Sequence, residues 1–357
     1  MRTGLKPYKT KGEAAVRTRK IYGKNMKLSE FDYSLPKELI AQYPADERDK
    51  CRLMVLDRKK KTIAHKTFED IAGYFKAGDL LVLNNTKVIP ARLFGKRKSG
   101  GKVELFLLEK KNPTCEALVR PGARIKDGEK VVLESGDEVE ILGRGDVGRF
   151  VKFARPLDDI LNAIGHVPLP PYIDRDDEES DRLNYQTVYA GRDGATASPT
   201  AGLHFTHELL GRLQKLGVET GYVTLHTNYG TFAPIKTDNV ESHKMHKEYF
   251  ELPAETAKAI EEAKERGGKV FAVGTTTARV LEHCSGKVSS GYTGMFIYPG
   301  YEFKVVDHLM TNFHLPKSTL MLLVSAFAGK GFIFEAYRQA IAEKYRFFSY
   351  GDGMLIL

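Results

Sequence analysis

Two short segments, Arg52-Leu-Met-Val-Leu56 and Leu80-Leu-Val-Leu83, are apolar without alternation and read as buried strands. Ahead of them, Leu35-Pro-Lys-Glu-Leu-Ile40 predicts a helix with proline in its first turn. The pattern changes at Arg92. From there to Pro156 the apolar positions come in runs of three to six β-formers: Val103–Leu108, Glu116–Val119, Val131–Leu133, Val139–Leu142 and Phe150–Phe153. Ser-Gly-Gly, Pro-Gly, Asp-Gly and Gly-Asp turns separate them, so a small closed barrel without helices is expected. Beyond it, helix and strand alternate. Thr206–Leu216 places Leu209, Leu210, Leu213 and Leu216 on one stripe, with Gly217 closing the helix before the strand Val218–Leu225. A helix over Ala254–Arg266 and a strand over Lys269–Val273 follow. The expected fold class is α+β: a mixed-sheet α/β body over 26–91 and 156–357, with an inserted small closed β-barrel domain over 92–155.

The chain has 357 residues, room for about two domains that need no disulfide or metal staple. Its longest apolar stretch, Leu320–Ala328, is too short to cross a bilayer and is expected in the core. The formal net charge of +9 is uneven. Residues 1–25 hold eight basic side chains against Glu13 alone, leaving about +2 for the rest, so nucleic-acid binding must be argued from local clusters. This segment lacks a secretory apolar stretch and is read as a basic arm or, preferably, as sequence ahead of a natural start at Met26. Cys51, Cys115 and Cys284 lie far apart, which implies a reducing compartment, the cytoplasm, and no cysteine-built metal site. Asp174–Arg182, with six acids in nine residues, reads as an exposed loop.

Candidate chemistry gathers at strand ends. Val273-Gly-Thr-Thr-Thr-Ala-Arg279 ends a buried strand at Gly274 and opens a helix on hydroxyls. Thr275, Thr276 and Arg279 there suit an anion such as a carboxylate, although the same residues would serve as a simple helix cap. His204 stands just ahead of a helix in Pro199-Thr-Ala-Gly-Leu-His204, and His226 follows a buried strand. His314, with Asn312, sits in the loop Thr311-Asn-Phe-His-Leu-Pro316. All three histidines suit proton transfer. The pairs His204/His207 and His243/His246 have metal-compatible spacing, but no third ligand follows. Lys96, Arg97, Lys98 and Lys102, at a predicted hairpin tip of the barrel, form a cationic cluster suited to RNA phosphates. No phosphate-binding P-loop or dinucleotide glycine motif is present.

These segments together resemble the S-adenosylmethionine:tRNA ribosyltransferase-isomerase family of queuosine biosynthesis. The stretches that carry the resemblance are Phe31–Pro36, Leu83-Asn-Asn-Thr-Lys-Val-Ile-Pro-Ala-Arg-Leu93, Ile164-Gly-His-Val-Pro-Leu-Pro-Pro-Tyr-Ile173, Pro199–Phe205, Ala272–Thr276, Ile297–Tyr301, Thr311–Pro316 and Lys344–Gly353. They run in family order from about Met26 to Leu357.

The resemblance implies an α+β body with an inserted barrel. It also implies transfer of the ribosyl part of S-adenosylmethionine to a 7-aminomethyl-7-deazaguanine at the wobble position of a tRNA anticodon loop. Adenine and methionine leave, and epoxyqueuosine is formed. S-Adenosylmethionine is then a consumed substrate, no cofactor is needed, and no membrane or metal is involved; a monomer is expected. The chemistry needs a base, an acid for departing adenine and a grip on the methionine carboxylate. His204 and His226, with His314 behind them, are the candidates for proton transfer. Thr275, Thr276 and Arg279 are the candidates for the carboxylate, and Thr200, Gly202, Gly274 and Asn312 are expected to line the same pocket. Two positions depart from the family pattern. Asn228 replaces a glycine in His226-Thr-Asn-Tyr-Gly-Thr-Phe232, where its tolerance of positive φ is expected to preserve the turn, and Ser198 stands where alanine is common.

Overall fold

The computed structural model describes residues 25–122, 125–228 and 235–357. The basic N-terminal segment, Asn25 excepted, and Tyr229–Phe232 of the His226 loop lie outside the described residues.

The body is built on a nine-stranded mixed sheet. Its first strands are β1 (Arg52–Asp57), β2 (Thr62–Thr67) and β3 (Leu80–Asn84), followed by the short β4 (Thr86–Val88). The chain then leaves the sheet for six consecutive antiparallel strands, β5 (Arg92–Arg97), β6 (Lys102–Leu107), β7 (Thr114–Arg120), β8 (Lys130–Leu133), β9 (Glu138–Arg144) and β10 (Arg149–Phe153). They close into a barrel in the order β10-β7-β6-β5-β8-β9. Alternation explains the closure: Val103, Leu105 and Leu107 of β6 and Cys115, Ala117 and Val119 of β7 point inward, while their neighbours meet solvent. Gly95 allows the tight contact of β5 with β8, since a Cβ there would fall 2.6 Å from the carbonyl oxygen of Val132.

The chain returns through α1 (Leu157–Ile164), whose Leu157, Ile160 and Leu161 join the barrel core. Then come α2 (Asp181–Asn184), β11 (Arg192–Ala195), α3 (His207–Lys215), β12 (Glu219–Leu225), β13 (Glu248–Leu252), α4 (Ala254–Glu265), β14 (Val270–Val273) and α5 (Thr275–Cys284). The last elements are β15 (Ser289–Thr293), β16 (His308–Asn312), α6 (Thr319–Ala328), α7 (Lys330–Ala342) and β17 (Gly353–Ile356). β11 pairs with β4, and the large sheet runs β15-β13-β12-β3-β14-β16-β17-β1-β2. Its middle, β12-β3-β14-β16, is parallel. Helices cover these strands, which is why β3 and β14 are apolar on both faces, with Leu80–Leu83 and Val270–Val273 all buried. The mixed-sheet body with its inserted closed barrel is the architecture expected from the sequence. Among the described residues no single helix is long and apolar enough to cross a membrane, and Leu320–Ala328 falls in the largely buried α6.

Several local expectations are corrected. The helix predicted at Leu35–Ile40 is only a 3-10 turn, Lys37–Leu39, because Ile40 turns extended and bridges Phe347. On α3 the stripe narrows: Leu209 and Leu213 are buried, while Leu216 is 46% exposed as the helix ends. The acidic segment 174–182 is not simply an exposed loop. Asp181 is 1% exposed and accepts two hydrogen bonds from Arg175 at 2.7 and 2.8 Å and one from the Tyr350 hydroxyl at 2.7 Å. A strand at Arg92–Arg97, absent from the β-runs read in the sequence, completes the barrel; charged residues at 92, 96 and 97 mask its alternation.

Candidate active site

The carboxyl ends of three parallel strands, β12, β14 and β16, converge on one cavity of about 480 Å³, a size suited to a compact organic ligand. The location follows the general rule for open α/β sheets, whose ligands sit beyond the carboxyl ends of strands. β14 contributes Gly274, Thr275 and Thr276; β16 contributes Thr311, Asn312 and the loop through His314; Thr227 follows β12. The opposite wall comes from the 3-10 turn Thr200–Gly202 and from Tyr172 and Ser349, whose hydroxyls lie 2.7 Å apart.

The floor is the start of α5. Gly274 takes φ +88° and ψ 152°, a backbone that an L side chain resists, and this lets strand become helix without a loop. Thr276 is held in place because the buried Asn84 at the end of β3 donates to its hydroxyl at 3.2 Å and to the Leu225 carbonyl at 3.1 Å. The first turn of α5 contains no acidic residue, and the backbone N–H groups of Thr275 and Thr276 have no acceptor among the described residues. Two buried hydroxyls on the cavity wall, those of Ser198 and Thr227, also lack a partner among the described residues. Unmatched donors at a helix start, beside unmatched hydroxyls, favour a polar ligand with an anionic end.

Of the three histidines, only His314 lines this cavity. Its Nε2 lies 2.7 Å from the Thr311 hydroxyl, its backbone N–H donates to the Tyr337 hydroxyl at 2.9 Å, and its carbonyl accepts from the Tyr33 hydroxyl. Burial pushes its pKa down to about 3, so the ring is neutral at ordinary pH. His204 is one side chain removed. It is enclosed between Cys51 and Asn312, and burial, aided by Arg346 and Arg48, pushes it down to about 3. It borders a small separate crevice of about 100 Å³. His226 points away from the cavity. Its Nδ1 meets the Thr86 hydroxyl at 2.7 Å, and its ring stacks on Tyr249 and packs over Gly194.

The remaining sequence candidates divide in the same way. Thr200, Gly274, Thr275, Thr276 and Asn312 line the cavity. Gly202 stands behind the wall, where a Cβ would fall 2.0 Å from the Tyr189 hydroxyl. Arg279 does not reach the cavity. It is 3% exposed, its Nη1 donates to Glu248 at 2.6 Å, and its Nε donates to the Met295 carbonyl at 3.0 Å. Lys96, Lys98 and Lys102 are exposed around the β5–β6 turn, whereas Arg97 is committed to Glu129 through two bonds of 2.6 and 3.1 Å. His207 is exposed and His204 buried, so the pair does not converge. Among the described residues no group of three His, Cys, Asp or Glu side chains is placed to hold a metal. Asn228 does not adopt positive φ; its backbone N–H instead donates to Glu248 at 3.3 Å. Tyr172 and Ser349 were not among the sequence candidates, although both lie in segments that carry the family resemblance.

A mixed α/β body with an anion-ready pocket at its strand ends, joined to a closed barrel, defines a small-molecule-using enzyme with a second, inserted module. Residues 28–356 match the family described as queuosine biosynthesis protein. A protein of Sulfurihydrogenibium sp. named S-adenosylmethionine:tRNA ribosyltransferase-isomerase is 55% identical over 337 residues, covering 93% of this chain and all of that one. Its namesake in Thermotoga maritima is 51% identical over 338 residues, with the same coverage. The crystal structure of S-adenosylmethionine tRNA ribosyltransferase from Thermotoga maritima aligns at 42% identity with a TM-score of 0.54, covering 92% of this chain and all of that chain. The chain belongs to the queuosine biosynthesis protein family.

Proposed function

We propose that the chain is an S-adenosylmethionine:tRNA ribosyltransferase-isomerase, moving the ribosyl moiety of S-adenosylmethionine to the 7-aminomethyl-7-deazaguanine at the tRNA wobble position. Epoxyqueuosine is formed, and adenine and methionine are released. Beyond family membership, one observation carries the reading: the cavity joins the helix start at Thr275 and Thr276 to a neutral histidine, His314, at the ends of the parallel strands.

The chemistry distributes over the cavity as follows. The amides of Thr275 and Thr276 hold the methionine carboxylate. The positive sulfur acidifies the adjacent 5′-methylene, and His314 removes that proton; in the tautomer that donates Nε2–H to Thr311 across the 2.7 Å contact, Nδ1 carries the lone pair a base requires. The ribose then opens with loss of adenine, and the neutral aminomethyl group attacks. His204 acts from behind the cavity wall, through Asn312. Lys96, Lys98 and Lys102 meet tRNA phosphates. S-Adenosylmethionine is consumed, no further cofactor is used, and the protein works as a cytoplasmic monomer. Residues 26–91 and 156–357 form the catalytic body and 92–155 the inserted barrel.

The test is adenine release from labelled S-adenosylmethionine. Release that requires tRNA bearing the aminomethyl base supports the proposal. Salt-sensitive tRNA binding without release would instead make the chain an RNA-binding module, and release without modified tRNA would make it a cleaving enzyme with another acceptor.

A further inference from the structure

Cys51, His204, Asn312 and Thr200 form one line of hydrogen bonds that begins in the core and ends at the cavity. Sγ of Cys51 lies 3.1 Å from Nδ1 of His204, the Asn312 amide nitrogen lies 3.1 Å from Nε2 of His204, and Thr200 Oγ1 lies 3.1 Å from Oδ1 of Asn312. Cys51, His204 and Asn312 are 4%, 5% and 2% exposed, so water does not compete for these bonds.

The direction of the line follows link by link. A neutral imidazole has one N–H and one lone pair. The Asn312 nitrogen carries only hydrogens, so Nε2 accepts and the ring proton sits on Nδ1, which donates to the Cys51 sulfur. Burial keeps Cys51 a thiol by pushing its pKa up to about 12, and the reverse line would need that thiol, a weak donor, to drive the chain. At the other end Oδ1 of Asn312 can only accept, so Thr200 gives it its single hydroxyl hydrogen. Thr200 is left facing the cavity with lone pairs alone. Its side chain is thereby set to receive an N–H, not to donate.

Which N–H it receives follows from its neighbours. Ala201, next in sequence, packs against the start of α5, since a Cβ on Gly274 would fall 3.8 Å from Ala201 Cβ. Thr200, Ala201 and the start of α5 line the same cavity, so Thr200 faces the space into which the amides assigned to the methionine carboxylate open. In an amino acid the ammonium and the carboxylate share one carbon, so their receptors must be adjacent.

Resting on the functional reading above, we propose that Thr200 Oγ1 accepts a hydrogen bond from the α-ammonium of S-adenosylmethionine, and that Cys51 and His204 are positioning residues that hold it in this polarity. Neither Cys51 nor His204 touches the substrate.

The experiment compares the affinities of S-adenosylmethionine and its analogue lacking the α-amino group, by calorimetric titration of the full chain and its variants. Wild-type protein binds the analogue about ten- to a hundredfold more weakly, the range for a hydrogen bond to a charged group. Thr200→Val loses most of that factor on S-adenosylmethionine and little on the analogue. Cys51→Val shifts the same selectivity ratio in the same direction, raising KM for S-adenosylmethionine more than it lowers kcat. Cys51→Ser, whose hydroxyl can accept from Nδ1, restores the ratio. A mere packing role for Cys51 would weaken both ligands equally and leave the ratio unmoved.

Equal losses on both ligands in Thr200→Val, or an unchanged ratio in Cys51→Val, overturn the proposal. So does tighter analogue binding by Thr200→Val, which marks the reversed polarity. Wild-type protein that binds neither ligand would defeat the functional reading itself, an outcome distinct from these.

Discussion

Replacing Arg279 with leucine separates a structural from a ligand-binding role for this residue. The guanidinium lies 2.6 Å from the Glu248 carboxylate, with side chains 4% and 2% exposed. Removing the cation takes the ion-pair partner from a buried carboxylate on β13. Breaking such a pair on one side costs about 3–5 kcal/mol, whereas replacing both partners by apolar groups is often neutral or better. Arg279→Leu should therefore lower the urea midpoint by about 1 M or more, taking a slope of roughly 3 kcal/mol per M for a chain of this size. The double variant Arg279→Leu, Glu248→Leu should recover most of that loss. S-Adenosylmethionine affinity, measured where both variants are folded, should stay near wild type in both. If Arg279→Leu keeps its midpoint but loses the ligand, and the double variant does not regain it, the guanidinium holds the substrate and the reasoning fails.

Three further outcomes are expected. His314→Gln should cut adenine release about 10²- to 10⁴-fold while S-adenosylmethionine binding stays within a few fold; wild-type turnover would remove His314 from proton transfer. His204 and His314 both have folded pKa values pushed down to about 3 by burial. Because the unfolded chain takes up these protons near pH 6.5, their contribution to stability is intact above that pH and lost as pH falls toward 3. Each should cost about 2 kcal/mol between pH 7 and pH 5, read as a falling urea midpoint, and a flat midpoint over that range would show that the charged rings are accommodated. Changing Lys96, Lys98 and Lys102 together to alanine should weaken tRNA binding and flatten its salt dependence by about two to three in the log–log slope, with S-adenosylmethionine binding untouched. An unchanged slope would place the RNA elsewhere.

Much of this arrangement was legible in the order of residues. Buried parallel strands announce themselves by apolar runs without alternation, and the barrel by short β-runs between glycine turns, because each pattern reflects which faces are covered. The strand Arg92–Arg97 was legible only through the hairpin tip at Lys96–Lys102 and not as a β-run: its outward positions carry charges whose partners, Glu104 and Glu129, are distant in sequence. The site was readable as a set of strand ends, since Gly274, Thr275 and Thr276 follow β14, Asn312 ends β16 and His314 follows it. What sequence does not carry is side-chain direction across elements. Arg279 is one helical turn past Thr275, yet its partner lies on β13, thirty-one positions earlier. His226 leaves the cavity because Thr86 of β4 and Tyr249 of β13 hold its ring. His204 looks like a free base in its loop and proves enclosed, because Cys51 reaches it from the start of β1.

On this account S-adenosylmethionine occupies the cavity at the carboxyl ends of β12, β14 and β16. A crystal structure of the protein with S-adenosylmethionine tests it most directly. The predicted result places the methionine carboxylate on the backbone N–H groups of Thr275 and Thr276, with the 5′-carbon facing His314. Density for the nucleoside in a second cleft, lined by Arg92 and Arg120 of the barrel and by Pro168–Pro171, with this cavity empty, would contradict it.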